Sequence, residues 1–235
     1  KSLAKRTWAV NAYSLIVPGL SGIRLRPFED HLFHSPSFFV PDFHGRSIAT
    51  IHDLSNYRYP ELHPTSRRKI FDLEIRRTLD SVSHIITDSE SIRSEVIAQF
   101  AWPASRITAI PLGVSQTFAP RPAKDLTAIL LRHGLQPQAY SLCVSTLEPR
   151  KKVSELIEAY GGIPGSLRTH YPLVIVGSLG WLNDTIMERI ERGRREGWLR
   201  YLGYVPNHDL PALYAGAHAF LYPSVYEGFG LPVLE

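Results

Sequence analysis

Nine residues, Glu227-Gly-Phe-Gly-Leu-Pro-Val-Leu-Glu235, decide how the C-terminal half of the chain folds. They follow the apolar run Ala219–Tyr222, which predicts a buried strand. Gly228 and Gly230 suit a turn in which the backbone approaches a ligand without interference from a Cβ atom. Pro232 suits the first turn of a helix. The stretch therefore predicts a strand, a glycine turn and the start of a helix, in that order.

The same stretch predicts a class of ligand. A helix N-terminus offers unpaired backbone N–H groups and partial positive charge, which favour a phosphate. Glu227 and Glu235 lie on either side of this position, and ionised carboxylates accept hydrogen bonds from hydroxyl groups. A sugar on one side and a ribose on the other would satisfy all three groups. The stretch thus indicates a nucleotide-sugar site.

A second segment with phosphate-binding character is Ser145-Thr-Leu-Glu-Pro-Arg-Lys-Lys152. It follows a predicted strand and precedes a predicted helix, and open α/β sheets bind ligands at the carboxyl ends of their strands. Arg150 and Lys151 are expected to hold phosphate oxygens. Solvated surface charge is the alternative for this loop taken alone, and the Glu227 stretch favours the site.

Two weaker signals also follow predicted strands. The Gly177-Ser-Leu-Gly180 segment is either a tight turn that needs glycine or a third edge of the same crevice. His52 is either a structural histidine satisfied by a neighbour such as Asp53, or a residue opposite Glu227. In the second case its ring would hydrogen-bond the transferred sugar or the acceptor hydroxyl.

Short apolar runs alternate with helical patterns along the chain, which predicts βαβ units and parallel sheets. The predicted strands are Leu32–His34, Ser47–Ile51, His84–Thr87, Ile107–Ile110, Tyr140–Ser145, Leu173–Gly177, Leu199–Leu202 and Ala219–Tyr222. The predicted helices are Ser66–Ser81, Ser89–Phe100, Asp125–His133, Val153–Tyr160, Asn183–Glu196 and Asp209–Gly216. Pro111–Lys124 lacks periodicity and contains Pro111, Gly113, Pro120 and Pro122, so it indicates a linker.

Composition narrows the function classes. The chain has 235 residues, 44% hydrophobic and 20% charged, which is ordinary for a soluble globular protein. Cys143, the single cysteine, excludes an intrachain disulfide and fits a reducing, cytoplasmic compartment. No run approaches the ~20 apolar residues of a membrane helix. The formal charge of +4 comes from basic clusters, which are either solvated helix faces or a surface for an anionic membrane leaflet. Nucleic-acid binding is not expected, because no basic stripe is interleaved with aromatics.

Absent motifs restrict the chemistry further. The sequence has no Asp-x-Asp metal clamp, and Asp88-Ser-Glu90, the nearest match, falls at a predicted helix start. No His/Cys spacing indicates zinc, and neither a Walker loop nor a Gly-x-Ser-x-Gly motif is present. We therefore expect no metal and no cofactor, with leaving-group charge stabilised by Arg, Lys and backbone N–H groups.

With these motifs in order, the chain resembles glycosyltransferase family 4, retaining enzymes with the GT-B fold. The resemblance covers residues from about 30 onwards and lies in Thr50-Ile-His-Asp-Leu54, Arg58-Tyr-Pro-Glu-Leu-His-Pro64, Pro111-Leu-Gly-Val114, Thr146-Leu-Glu-Pro-Arg-Lys151, Val176-Gly-Ser-Leu-Gly-Trp181, Leu202-Gly-Tyr-Val-Pro206 and the Glu-x7-Glu spacing of Glu227 and Glu235. The last is the family signature. The others resemble the members that add mannose or similar hexoses to bacterial surface polysaccharides.

The resemblance implies two Rossmann-like parallel-sheet domains facing a cleft. Residues 1–112 would form the acceptor-side domain, 113–124 the linker and 125–235 the nucleotide-sugar domain. The donor would be a nucleoside-diphosphate hexose, with GDP-mannose favoured, and the acceptor a saccharide or a lipid-linked saccharide. The protein would work in the cytoplasm, with peripheral association at the inner face of the membrane as a further expectation.

The resemblance also implies a role for each matching residue. Glu227 would contact the transferred sugar, Glu235 the ribose, and His52 the sugar or its acceptor. Arg150 and Lys151 would hold the diphosphate, together with the backbone N–H groups of Gly228, Phe229, Gly230 and Leu231. Donor contacts are also expected at Thr146, Gly177, Tyr204 and Val205, the last two bordering the base.

The sequence departs from the family pattern at several positions. Thr146 stands where many members have arginine, and Arg150 is expected to compensate. The glycine-rich loop near the start and the helices after the signature are missing, which predicts a fragment with both domains incomplete. Two other function classes stay open. One is a GT-B synthase for a small-molecule acceptor, and the other is a non-catalytic module that binds nucleotides or saccharides.

Overall fold

The computed structural model describes residues 21–235. The chain divides into two compact units after Leu112, and each unit is described by itself. Within the described residues, no helix has both the length and the apolar character needed to cross a membrane. The same residues contain no group of three or more His, Cys, Asp or Glu side chains placed to hold a metal ion.

The first unit is an α/β unit built on a parallel sheet. Its strands are β1 Phe33–Ser35, β2 Ser47–Ile51, β3 His84–Thr87 and β4 Ile107–Ala109, and the described sheet has the order β1-β2-β3-β4. Its helices are α1 Ser55–Arg58, α2 Thr65–Ser81 and α3 Glu90–Phe100, and residues 21–25 are also helical. The predictions for β2 and β3 are confirmed residue for residue. The prediction for β1 was one residue early.

An apolar stripe runs along one side of α2. Phe71 and Ile75 are buried, Val82 just after the helix is also buried, and Leu79 is half-buried. The stripe fixes which side of α2 faces the sheet, since residues four apart lie on one helix face. Burial of each such aliphatic or aromatic side chain contributes about 1.5–3 kcal/mol.

The second unit repeats the same architecture. Its strands are β5 Ser141–Val144, β6 Leu173–Val176, β7 Leu199–Gly203 and β8 Ala219–Phe220. Its helices are α4 Ala123–Arg132, α5 Val153–Gly161, α6 Gly165–His170, α7 Asp184–Arg195, α8 Leu210–Gly216 and α9 Leu231–Leu234. The pairings β5–β6, β6–β7 and β5–β8 are all parallel, as are β1–β2, β2–β3 and β3–β4 in the first unit, so the α/β fold class with parallel sheets is confirmed in both units.

The strand order of the second sheet, β7-β6-β5-β8, determines where its site lies. The chain builds β5, β6 and β7 outward in one direction and then returns to place β8 on the other side of β5. In an open parallel sheet, a ligand crevice forms outside the carboxyl ends of the two strands between which the order reverses. That position lies between the carboxyl ends of β5 and β8.

Two apolar layers hold this sheet from opposite faces. One contains Cys143, Leu173 and Ile175 packed against Ile157 of α5 and Ile190 of α7. The other contains Leu142, Val174 and Val176, which pack against side chains of α4 and α8 such as Leu126, Leu130 and Leu213. Cys143 is therefore a buried small hydrophobe, and burial raises the pKa of its thiol to about 11.

Several predicted boundaries were wrong. Strand β8 ends at Phe220 rather than Tyr222. The N–H of Leu221 still donates to the carbonyl of Leu142 at 2.7 Å, but Pro223 has no N–H with which to continue the ladder. Helix α4 starts at Ala123, directly after Pro122, inside the stretch predicted as linker. The short helices α1 and α6 were not predicted, because four to six residues are too few to show a helical period, whereas the helix start predicted at Pro232 is confirmed by α9.

Candidate functional site

Two loops meet at the reversal point of the second sheet. The first continues from β5 into a 3₁₀ turn, Pro149–Lys151, and the second continues from β8 to Glu227. Their backbones are joined, because Val225 N–H donates to the carbonyl of Arg150 at 3.2 Å. Lys152 has φ +53°, a left-handed conformation that ends the turn and starts α5. The turn thereby presents Arg150 and Lys151 to the second loop.

Glu227 is the centre of a charged cluster. Lys151 Nζ donates to its Oε1 at 2.5 Å, and Ser224 Oγ donates to the same oxygen at 2.5 Å. Arg150 Nη1 donates to the other oxygen, Oε2, at 3.0 Å. The side chain of Glu227 is only 18% exposed. The structure therefore brings together the acidic stretch and the Arg-Lys loop that the sequence predicted to share a site.

Arg150 also belongs to a second ion pair. Its Nη2 donates to Oε1 of Glu148 at 3.0 Å, and its Nη1 donates additionally to the carbonyl of Tyr226 at 2.6 Å. The side chains of Arg150 and Glu148 are 9% and 4% exposed. Four charges thus alternate from Glu148 through Arg150 and Glu227 to Lys151, and their formal sum is zero.

The cations around Glu227 keep its carboxylate ionised. Burial by itself would raise the pKa of Glu227, but the hydrogen bonds from Lys151 and Ser224 and the charges of Lys151 and Arg150 outweigh it, so the pKa is lowered. A lowered folded-state pKa stabilises the fold fully above the unfolded value, and the contribution is lost as pH falls through the folded value. Burial, followed by the charge of Glu227, raises the pKa of the nearby Tyr222 hydroxyl.

The Gly177–Gly180 turn packs directly against the loop after β5. Gly177 has φ +143°, and a Cβ atom there would lie 1.9 Å from the carbonyl oxygen of Ser145. A Cβ on Gly180 would lie 2.9 Å from the carbonyl oxygen of Leu147. Both glycines are therefore required by close backbone approach, which is the structural alternative stated for this segment. Thr146, between these contacts, is exposed.

The other predicted donor-contacting residues lie around the same sheet edge. Gly230 has φ +88° and precedes the short helix α9, with Pro232 in its first turn as predicted. Tyr204 follows β7 and is 70% exposed, whereas the side chain of Val205 is buried in the core and leaves only its backbone for a ligand. Glu235 lies beside the hydroxyl of Tyr214, whose pKa is raised by burial and then by this carboxylate.

His52 belongs to the first unit, and its partner there is Asp88. Its Nδ1–H donates to Asp88 Oδ2 at 2.7 Å, and its Nε2–H donates to the carbonyl of Pro36 at 2.9 Å. The partner suggested from the sequence, Asp53, instead accepts from the backbone N–H of Ser55 at 2.9 Å. That suggestion was wrong because the side chain of Asp53 turns back onto its own loop.

Both ring nitrogens of His52 face acceptors, which favours the imidazolium. Burial would lower the pKa of His52, but the hydrogen bonds to Asp88 and Pro36 and the charges of Asp88 and Asp53 raise it above its ordinary value of 6.5. Because the folded value is raised, the contribution to stability is complete below the unfolded pKa and is lost as pH rises through the folded one.

We expect Asp88→Asn to lower the pKa of His52, since burial then acts against a weaker set of acceptors. An NMR titration of the imidazole carbon resonances measures this value directly. Asp53→Asn is the matched control, because Asp53 acts on the ring through charge alone and should lower the pKa less. A His52 pKa that is unchanged in Asp88→Asn would contradict the assigned pairing.

Three functional candidates were missed from the sequence. Asp88 follows β3, and the register pairs Ile51 with Thr87, so the residues that come next in the two strands, His52 and Asp88, lie side by side. The ends of both strands were predicted correctly, but the pair was missed because the sequence analysis did not establish that these two strands are neighbours in this register. Glu148 and Ser224 gave weaker signals, since both lie in loops where the sequence does not fix side-chain direction.

Part of the chain is similar to a known family of proteins. Residues 132–235 match the family model described as Glycosyl transferases group 1. The chain is 42% identical, over 99% of its length, to an O-antigen chain mannosyltransferase B of Escherichia coli, and it covers 61% of that protein. It is 32% identical to a serotype-specific mannosyltransferase WbdA of Escherichia coli over 86% of its length, covering 26% of that protein. The chain thus spans at most about three fifths of these relatives.

Solved structures agree on the fold. The structure of WaaG, a glycosyltransferase involved in lipopolysaccharide biosynthesis, matches with a TM-score of 0.76 at 17% identity, over all of this chain and 63% of that one. The structure of Anabaena Alr3699/HepE in complex with UDP and glucose matches with a TM-score of 0.71 at 18% identity, over 89% of this chain and 57% of that one. The fold, two Rossmann-like parallel-sheet units, is of the GT-B type.

Proposed function

Since the second unit matches the glycosyl transferases group 1 model and the fold is of the GT-B type, we propose that the protein is a retaining mannosyltransferase of glycosyltransferase family 4. It transfers a hexose from a nucleoside-diphosphate sugar, with GDP-mannose favoured, to a saccharide or lipid-linked acceptor during surface polysaccharide synthesis. The observation that carries the proposal is the cluster of Lys151, Arg150 and Glu227 at the reversal point of the sheet. The 42% identity to an O-antigen chain mannosyltransferase supports the choice of sugar and pathway class.

The donor is proposed to bind across the two loops. Lys151 turns from Glu227 to the diphosphate and supplies a point charge to its oxygens. The backbone N–H groups between Gly228 and Leu231 hold the same group, and Glu227 accepts hydrogen bonds from hydroxyls of the transferred sugar. Glu235 accepts from the ribose, and Tyr204, which is 70% exposed, borders the base.

The proposed reaction proceeds on one face of the sugar. The bond from the anomeric carbon to the diphosphate breaks while the bond to the acceptor oxygen forms on the same face. The acceptor proton passes to an oxygen of the departing diphosphate. Lys151 and the backbone N–H groups stabilise the charge that develops there, a contribution of about 3–4 kcal/mol for each preorganised donor. His52 is proposed to contact the sugar or the acceptor, with its Nε2–H leaving the carbonyl of Pro36 to do so.

We place the protein in the cytoplasm, at the inner face of the membrane. Arg67, Lys69 and Arg76 are exposed on α2 and give this helix a basic surface. Such a surface is attracted to anionic lipid headgroups by about 1 kcal/mol per basic residue. This attraction would concentrate the protein where a lipid-linked acceptor is found.

A panel of nucleotide sugars tests the proposal on the full-length protein. A ligand at about 100 times its Kd stabilises a fold by ~2.7 kcal/mol, so the correct donor raises Tm by several degrees. We expect GDP-mannose to exceed UDP-, ADP- and dTDP-sugars, and GDP to be released when a mannose-containing acceptor is added. Acceptors are supplied free in solution and as lipid-linked forms in anionic vesicles. Transfer to a sugar phosphate would instead indicate a small-molecule synthase. Absence of both stabilisation and nucleotide release with every acceptor would refute the transferase proposal.

A further inference from the structure

The ion pairs in this cluster distinguish Arg150 from Lys151, although the sequence analysis predicted the same role, binding the diphosphate, for both. Lys151 has one carboxylate partner in the cluster, Glu227. Arg150 has two, because Glu148 and Glu227 bind different terminal nitrogens of its guanidinium. The carbonyl of Tyr226 adds a third acceptor to this set.

Because of burial, the ion pairs of Arg150 cost more to break than the ion pair of Lys151. Glu148 is 4% exposed, and Arg150 is the cation bonded to it. If Arg150 swung away to a diphosphate, it would give up its ion pairs with two carboxylates at once, the buried Glu148 and the half-buried Glu227, and breaking buried ion pairs is destabilising. If Lys151 leaves Glu227, that carboxylate still accepts from Arg150 and Ser224. Lys151 is therefore the cation that breaks fewer ion pairs when it changes partner.

From this asymmetry we infer that Arg150 is a positioning residue and that Glu148 is the group that anchors it. Glu148 holds the guanidinium, the guanidinium holds Oε2 of Glu227, and the carboxylate of Glu227 keeps its direction when Lys151 turns to the donor. The inference rests on the proposed function for the identity of the ligand. It replaces the expectation that Arg150 itself grips the diphosphate.

The planar fork of arginine is required for this arrangement. Its two terminal nitrogens can bind two carboxylates at fixed angles, whereas the ammonium of lysine is a point charge on a flexible stem. Lysine at position 150 would keep the charge that a phosphate ligand needs but would lose the bridge between Glu148 and Glu227. Arg150→Lys therefore distinguishes a role for Arg150 as a phosphate ligand from a role as the bridge between Glu148 and Glu227.

The test compares Arg150→Lys, Glu148→Ala and Glu148→Gln in the full-length protein, with Glu155→Gln as a matched control. Glu155 is an exposed glutamate of α5 that pairs with Lys152 at 2.7 Å outside the cluster. We expect Arg150→Lys and Glu148→Ala to lower kcat about 10- to 100-fold, the range seen when a group that orients a ligand-binding residue is removed. Glu148→Gln should recover part of that loss, because its amide oxygen still accepts from Arg150. The donor KM and the Kd for GDP should stay within about threefold in all three variants.

Two results would overturn the inference. One is a loss of GDP affinity in Arg150→Lys as large as that in Lys151→Ala, which would make Arg150 a diphosphate ligand. The other is a loss of activity that only follows the folded fraction measured by thermal unfolding, which would make Glu148 merely structural. If the unmodified protein neither binds a nucleotide nor transfers a sugar, the proposed function fails by itself. A crystal structure of Glu148→Gln and Glu148→Ala then decides the inference, since an undisplaced Glu227 carboxylate in both would refute it.

Discussion

Lys151→Ala is expected to lower kcat/KM of the full-length protein by more than about 100-fold, the cost of removing one preorganised donor to a developing negative charge. Lys151 is the cation of the cluster that can leave its carboxylate partner at least cost, so the substitution removes the point charge that meets the diphosphate. Affinity for GDP should fall together with kcat, because the diphosphate is present both in the bound nucleotide and in the transition state. Initial-rate kinetics and calorimetric titration with GDP measure the two effects.

Lys152→Ala is the control for this substitution. Lys152 is the next residue along, carries the same charge and pairs with the exposed Glu155 rather than with Glu227. Its removal changes the net charge equally, so a general electrostatic effect on an anionic donor would appear in both variants. Turnover in Lys151→Ala that stays within about threefold of the parent protein would remove Lys151 from the diphosphate site.

The sequence predicted the sheet of each unit because its strands are short, continuous apolar runs between turn residues. Strands β2 and β3 were predicted to the residue, since β-branched residues and buried alternation begin and end sharply there. It did not predict strand order. The placement of β8 beside β5 depends on which exposed sheet edge receives the returning chain, and that choice is made by tertiary packing.

The candidate site was predicted at the level of loops and missed at the level of side-chain direction. The sequence placed Arg150 and Glu227 at strand ends, and parallel strands bring such ends to one edge. It could not show that Arg150 turns inward to Glu148, since two residues apart in a loop have no fixed relative direction. The backbone of the 3₁₀ turn Pro149–Lys151 determines that Arg150, rather than Lys151, is the buried cation.

Glu227→Gln should separate nucleotide binding from sugar transfer. The substitution keeps the shape and an acceptor oxygen but removes the charge that pairs with Lys151 at 2.5 Å. Transfer is expected to fall about 100- to 1,000-fold, the range for loss of one preorganised electrostatic group in an active site. Affinity for GDP should be equal to that of the parent protein or higher, because Lys151 no longer has to leave a carboxylate to reach the diphosphate.

In Glu227→Gln the transfer rate is expected to fall while GDP affinity is kept or raised, whereas in Lys151→Ala both are expected to fall. This difference distinguishes the roles of the two residues. Calorimetry with GDP and single-turnover transfer from GDP-mannose provide the two measurements, and Glu155→Gln repeats the change of charge at an exposed glutamate. The pH dependence of GDP affinity and of transfer provides an independent check. Because its pKa is lowered, Glu227 loses its charge only below the ordinary carboxyl range, so the parent protein at such pH should come to resemble the variant. A tenfold or greater loss of GDP affinity in Glu227→Gln would mean that this carboxylate organises the nucleotide site itself rather than the transferred sugar.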